Sequence, residues 1–195
     1  MRLSDWGGSP LAATLGIALA ATALAVPKES VPPAGGDPAR SRAAFAEIAQ
    51  VLRHPRCIAC HTVTDFPRQG TELRPHDMNV RRGADNHGVT AMRCASCHTD
   101  ANQDSGVPGA PHWALAPLSM GWEGLDDHQL AEALKDRAKN GNRSLEDTLR
   151  HFAEDPLVGW AWQPGGDRQP PPISRQELVR LLREWIDTGA YGGQP

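Results

Sequence analysis

Hydrophobic residues recur at helical spacing in two segments near opposite ends of the chain. The first segment follows Asp37, a predicted N-cap, and Pro38, which suits the first helical position. Its apolar positions follow the i, i+3, i+4, i+7 spacing of one helix face and are Phe45, Ile48, Ala49 and Leu52. The second segment begins at Ser174 and ends before Gly189. Its apolar stripe is formed by Leu178, Leu181, Leu182, Trp185 and Ile186. These patterns predict two amphipathic helices, and the first of them leads the chain to Cys57.

Two shorter helices are predicted between these segments from their capping residues. Asp126 begins the first of them, and Gln129 three residues later completes a capping box. We expect this helix to end at residues 140–141, where an Asn-Gly pair is a typical C-terminal signal. Ser144 begins the second helix, which runs toward Ala153.

The rest of the chain has no sustained hydrophobic period. Gly, Pro, Asn and Asp are scattered between His61 and Gly124, which predicts loops and single turns. The segment from Asp155 to Ile173 is rich in Pro and Gly and is predicted to be a long loop without regular structure. Its Trp160 and Trp162 are expected to pack on a large bound group or to form an exposed docking patch. The predicted fold class is therefore mostly α, a small helical domain with extensive irregular loops.

The N-terminal residues have the pattern of a secretory signal peptide. An apolar run from Leu11 to Ala25 follows a basic residue, and residues 23–25 form a small-x-small cleavage site. The predicted organisation is a signal peptide at 1–25, a flexible Pro/Gly linker at 26–36 and one folded domain at 37–195. A periplasmic protein is expected. The alternative is an N-terminal membrane anchor, although the run is short for a span of about 20 residues.

All four cysteines lie in two copies of the five-residue pattern C-x-x-C-H. The two copies are formed by Cys57, Cys60 and His61, and by Cys94, Cys97 and His98. This pattern is the attachment signature of haem c, in which two thiols form thioethers with the porphyrin and the adjacent imidazole becomes the proximal iron ligand. Because no cysteine is left over, the sequence predicts two covalent haem c groups per chain.

Composition agrees with this interpretation and excludes one class of partner. Only 5% of the residues are aromatic, and two buried porphyrins would supply the large flat apolar surfaces that the core otherwise lacks. The formal net charge of -3 argues against nucleic acid, whose binding proteins carry a basic excess.

Two other uses of the cysteines remain open. Paired C-x-x-C knuckles also form tetrahedral zinc sites, but zinc leaves His61 and His98 unexplained. A thioredoxin-like redox dithiol usually lies near a strand-helix-strand pattern, which is not evident here.

A second repeat suggests the sixth ligand of each iron. A Pro-His pair follows each motif, with His76 after the first motif and His112 after the second. A duplicated unit would carry a duplicated ligand set, so we predict His76 and His112 as distal ligands, either within one unit or exchanged between units. A loop imidazole bound to a propionate or a carbonyl is the alternative for each residue.

Methionine competes with histidine at the second iron. Met120 lies in a segment that resembles the Met-bearing loop of small class I cytochromes c, and a thioether ligand would raise the reduction potential. A gap-filling role is the alternative for this residue. Weaker distal candidates are His87, Met78 and Met92. The histidines on predicted helices or at their ends are interpreted as surface or capping residues, and they are His54, His128 and His151.

A family resemblance is carried by five segments of the chain, Leu52–Cys57, Pro75–Val80, Pro108–Trp113, Leu115–Pro117 and Asp155–Trp160. These segments resemble bacterial dihaem c-type cytochromes described as isoquinoline 1-oxidoreductase subunits. Residues 185–190 also resemble the ends of many multihaem cytochrome c domains. The resemblance implies a cytochrome c-like domain that accepts electrons from a periplasmic molybdenum hydroxylase. It transfers no catalytic residue, since none of that enzyme's cofactor motifs occurs in this chain.

The functional prediction is a periplasmic dihaem c-type cytochrome, an electron carrier that is not itself an enzyme. It would pass single electrons from a dehydrogenase or hydroxylase to a downstream acceptor. The alternative is a dihaem enzyme such as a peroxidase, which needs one iron with an open sixth position and an acid/base group above it.

Overall fold

The computed structural model describes residues 36–194. The predicted signal peptide and residues 26–35 of the predicted linker lie outside the described residues. The structure is 41% helical and 5% strand, which confirms a helix-rich fold with irregular loops. Within residues 36–194, no helix combines the length and the hydropathy that a membrane crossing requires.

Helices form both ends of the described chain, and short irregular elements form its middle. The helices are α1 (Pro38–Leu52), α2 (Pro55–Ile58), α3 (Asp127–Lys135), α4 (Leu145–Glu154), α5 (Pro156–Trp160) and α6 (Arg175–Asp187). Two small antiparallel sheets pair β1 (Arg68–Gln69) with β2 (Arg74–Pro75) and β3 (Gly88–Val89) with β4 (Met92–Arg93). Three 3-10 turns cover Asp77–Asn79, Cys94–Ser96 and Leu118–Met120.

The hydrophobic core lies mainly between α1 and α6, with α3 and α4 packed against them. The rings of Phe45 and Trp185 are fully buried, and their centres are 5.0 Å apart. The Trp185 indole N–H donates to the carbonyl of Tyr191 at 3.0 Å, and the Tyr191 backbone N–H donates to the Ser41 hydroxyl at 2.9 Å. These bonds fix the residues after α6 onto α1.

The predicted capping residues begin the helices in the structure. Asp37 accepts from the backbone of Arg40 at 3.0 Å, and Ser174 accepts from Glu177 at 3.1 Å. Complete capping boxes begin α3 and α4 at Asp126 and Ser144. Each cap satisfies a backbone N–H that has no partner inside its helix.

The C-terminal end predicted for the helix that begins at Asp126, which is α3, is wrong. The helix ends at Lys135, five residues before the expected Asn-Gly pair. The side-chain amide of the buried Asn140 donates to the carbonyls of Leu134 and Arg143, at 2.7 and 2.9 Å. This side chain satisfies a carbonyl at the end of α3 and closes the following turn, so Asn140 acts after the helix rather than in it.

The segment from Asp155 to Ile173 is not wholly irregular, contrary to the prediction. Its first part is α5, and one carboxylate oxygen of Asp155 accepts from the backbone of Leu157 and Val158 at 2.9 and 3.1 Å. Pro156 follows as the first helical residue. This Asp-Pro start repeats the signal that begins α1 at Asp37.

One buried arginine organises the irregular middle of the chain. Arg82 is only 4% exposed and donates to the carbonyls of Thr62 and Thr64 at 3.0 and 3.1 Å. It also donates to the side chain of Asn86 at 3.0 Å and to the carbonyl of Ala116. A single guanidinium therefore joins the loop after the first C-x-x-C-H motif to two later loops, where no regular ladder could satisfy these carbonyls.

Candidate haem-binding sites

The first C-x-x-C-H motif lies in the wall of a cavity of about 330 Å³. Cys57 belongs to α2, and the backbone N–H of His61 donates to the Cys57 carbonyl at 3.0 Å. This helical turn places Cys57 and His61 on one face. The carbonyls of Cys60 and His61 accept from the backbone of Ala116 and Trp122, so later loops hold the motif in position.

The chemistry of the cavity suits a large group that is apolar with charged edges. Arg56 and Arg143 line it, and a planar guanidinium pairs well with a carboxylate. Three buried side-chain N or O atoms within residues 36–194 lack a hydrogen-bond partner. Two of them, Nε of Arg56 and Oγ1 of Thr148, belong to residues that line this cavity. Buried polar atoms are rarely left unpaired, so Arg56 and Thr148 are polar side chains beside which a ligand with a polar edge would fit.

The imidazole of His61 is held in one orientation and is neutral. Its Nδ1–H donates to the carbonyl of Met120 at 2.8 Å, and its ring stacks on Trp122 at 3.5 Å with an angle of 8° between the planes. Burial lowers the pKa of His61 to about 4. The ring therefore keeps an unprotonated Nε2, which is the atom that a metal would bind.

The histidine of the second motif has the same two kinds of contact, but with different residues. The Cys94–Ser96 turn begins it, and the Nδ1–H of His98 donates to the carbonyl of Pro108 at 2.8 Å. The His98 ring stacks on Trp113 at 4.5 Å, again with 8° between the planes. Burial also lowers the pKa of His98. Both motif histidines thus present Nε2 and hold Nδ1 against a backbone carbonyl.

His76 lies beside the histidine of the second motif. The ring centres of His76 and His98 are 6.0 Å apart, and the rings are nearly perpendicular at 76°. With metal–nitrogen bonds of about 2 Å, two imidazoles on opposite sides of one metal have ring centres roughly 6 Å apart. The Nδ1–H of His76 donates to the carbonyl of Asp77 at 2.8 Å, which leaves its Nε2 free. The structure thus places the histidine of the first Pro-His pair beside the histidine of the second motif.

The other predicted distal residues are placed differently. His112 is exposed and has a left-handed backbone with φ of 62°. His87 is also exposed, and its ring is bound to the carbonyl of Asp85 at 2.7 Å. Met120, proposed from the sequence for the second iron, has its backbone at the first motif, where its carbonyl accepts from His61. Met78 is largely exposed, and Met92 belongs to β4.

The four cysteines are free thiols. Burial raises the pKa of Cys57 to about 12 and that of Cys60 to about 11. A redox dithiol needs the opposite shift, since the thiolate is its reactive form. Zinc would need the thiolates around one ion, and residues 36–194 hold no group of three or more His, Cys, Asp or Glu arranged for a metal ion. A haem needs no such cluster, because each axial imidazole approaches from its own face.

The two candidate sites are close to each other. Cys94 is near enough to Cys60 to contribute to the raised pKa of the Cys60 thiol. An aromatic pair joins the sites as well: Trp113, which stacks on His98, meets Trp160 edge to face at 4.8 Å. Trp160 also lines the first cavity.

The sequence interpretation missed the side of the cavity that α4 and Asp155 form. His151 was assigned to the surface or to a cap, but it lines the cavity from α4 and its side chain is only 24% exposed. Thr148, Phe152 and Asp155 line the same cavity. These residues and His151 have i, i+3, i+4, i+7 spacing, a helical stripe that the sequence already contained.

Comparison with known proteins adds no relative to this chain. No protein-family model, no curated protein and no solved structure matches it.

Proposed function

We propose that this protein is a dihaem c-type cytochrome that carries single electrons. The observation that supports this most directly is shared by both motifs. Each motif histidine holds its Nδ1–H on a backbone carbonyl, stacks on a tryptophan and leaves Nε2 free beside two cysteines. The motif sequence does not explain why both histidines are oriented in the same way. Axial ligation of two irons would explain it.

The residues of the chain fit two haem groups. Cys57 and Cys60 would attach the first haem and His61 would bind its iron, with Arg56 and Thr148 available to its polar edge. In the second site the attaching and binding residues would be Cys94, Cys97, His98 and His76. Haem iron supplies the one-electron step between its ferric and ferrous states.

The protein contributes the orientation of the motif histidines. Tryptophan rings fix the planes of both proximal imidazoles, and the carbonyl bonds keep each ring in one tautomer. Proximity of the two sites favours transfer between the haems. We further propose a periplasmic location, an upstream dehydrogenase or molybdenum hydroxylase and a separate downstream acceptor, as the predicted signal peptide and the family resemblance imply.

A redox titration of the mature protein followed by visible absorption tests this function. We expect two one-electron transitions, low-spin spectra in both oxidation states and no binding of peroxide by the resting protein. A high-spin ferric haem that binds and consumes peroxide would contradict the carrier function and favour the peroxidase alternative. A colourless protein containing zinc would contradict both.

A further inference from the structure

The cavity at the first motif contains few atoms that could complete an iron coordination sphere. Haem iron takes axial ligands from His, Cys, Met and Tyr side chains. Apart from the motif's own cysteines and His61, the described residues that line the cavity include two of these types, Met120 and His151. The sixth ligand of the first iron, if the cavity supplies it, is one of them.

The position of Met120 excludes it. Its carbonyl accepts from Nδ1 of His61, so it lies behind the proximal ring, on the side away from the metal-binding Nε2. A sulfur ligand on the far face of the iron would be roughly 9 Å from that carbonyl oxygen, since each metal–ligand bond is about 2 Å. An extended methionine side chain reaches only about 6 Å from its own carbonyl oxygen.

His151 has the features of a metal ligand instead. Its Nδ1 lies 3.2 Å from one carboxylate oxygen of Asp155, and the other oxygen caps α5. Histidines that bind metals commonly donate their second N–H to a carboxylate in this way. The bond through Nδ1 leaves Nε2 of His151 free.

The position of His151 agrees with this role. His61 and His151 line the same cavity, and His151 belongs to α4, the helix that begins with the capping box at Ser144.

We infer that His151 is the sixth ligand of the first haem iron and that Asp155 is its positioning residue. This inference rests on the proposed function. It gives both irons two histidine ligands, one from the adjacent motif and one from a distant part of the chain: His151 for the first iron and His76 for the second.

The test compares His151→Ala with Met120→Ala and His128→Ala in the mature, haem-loaded protein. We expect His151→Ala to convert one of the two low-spin haems to high spin in absorption and electron paramagnetic resonance spectra. Added imidazole should restore the low-spin signal, a rescue that a merely structural histidine would not show. The Met120 variant and the control His128, which lies on α3 outside the cavity lining, should keep both haems low-spin.

Two further variants keep the test informative if His151→Ala does not accumulate. His151→Met should remain six-coordinate and raise the potential of one haem only. Asp155→Asn should keep the α5 cap, since Asn caps helices about as well as Asp, and should shift the same potential upward because the imidazole loses its anionic partner.

The outcomes separate the inference from the proposed function. Two covalent haems that stay low-spin in His151→Ala, or a high-spin haem in Met120→Ala, would overturn the assignment of His151 and leave the cytochrome function intact. A wild-type protein without covalent haem would overturn both.

Discussion

The two C-x-x-C-H motifs share their cysteines and their histidine, but different parts of the fold hold them in place. The first lies partly in a helix, its His61 ring packs on the buried Trp122, and Cys57 packs against the hydrophobic core. The second follows a two-residue strand and begins with a 3-10 turn, and its Cys97 is exposed. The same five-residue motif thus lies once beside the hydrophobic core and once in the irregular part of the fold.

This difference predicts different roles in folding for the two proposed haems. The first cavity is lined by α2, α4, α5 and the loop around residues 114–122, so its ligand would complete the core. The second site depends on loops that carry His76, Pro108 and Trp113. The first haem should therefore contribute more to stability, and the second should be more accessible to partner proteins.

The largest expected effect comes from removing one attachment cysteine at each site. Cys57→Ala should lose the first haem and most of the folded protein, since an empty cavity of 330 Å³ costs on the order of several kcal/mol. Cys94→Ala should lose the second haem and still accumulate as a one-haem protein. Haem content and yield of secreted protein measure both effects, and equal yields would contradict the proposed difference between the sites.

A pair of tryptophan substitutions tests the same contrast without removing a haem. Trp185→Ala should lower the free energy of unfolding by about 3–5 kcal/mol, because its ring is fully buried between α1 and α6. Trp113→Ala should cost less than half of this, because Trp113 is only partly buried, but it should alter the spectrum of the second haem. Denaturant unfolding provides the comparison; a larger loss for Trp113→Ala would show that the second site belongs to the stabilising core.

The ligand exchange between units can be tested with two histidines that both follow a proline. His76→Ala should make the second haem high-spin, since its ring is 6.0 Å from His98. His112→Ala is the matched control, and this exposed residue should leave both haems low-spin. Paramagnetic resonance distinguishes the two outcomes. A high-spin haem in the His112 variant alone would contradict the exchange. It would favour the alternative in which each unit supplies both ligands of its own iron.

The smallest expected effect concerns the helix that carries His151. Ser144→Ala removes the N-cap of α4 and should cost about 1 kcal/mol of folding free energy. Ser119 is exposed in a turn without a side-chain cap, so Ser119→Ala should be nearly neutral. Thermal unfolding of the two variants checks this difference. Equal midpoints would show that the α4 cap contributes little.

The helical framework was predictable because its signals are local. Asp37, Asp126, Ser144 and Ser174 each start a helix by a cap that neighbouring residues alone define. The start of α5 carries the same Asp-Pro signal as α1. This helix of five residues was not predicted, because the Pro and Gly residues that follow it indicated a loop. The early end of α3 depended on the buried side chain of Asn140, which only tertiary packing shows.

The proposed attachment residues follow from local spacing, whereas the surroundings of each motif histidine do not. A C-x-x-C-H pattern specifies two thiols and one imidazole, but it does not specify which distant loop supplies the carbonyl, the stacked ring or the second imidazole. Approach of His76 to His98 depends on loops without periodicity. Orientation of His151 depends on where α4 and α5 pack, so sequence spacing alone assigned it to the surface.

The central claim is that both motifs carry covalent haem, and counting haems tests it most directly. The mature protein, secreted from a host that attaches haem c, is measured by alkaline pyridine absorption together with its intact mass. We predict two haems per chain, retained after acid extraction because thioether bonds hold them. A colourless chain, or a chain with one haem and two free thiols, would contradict the account.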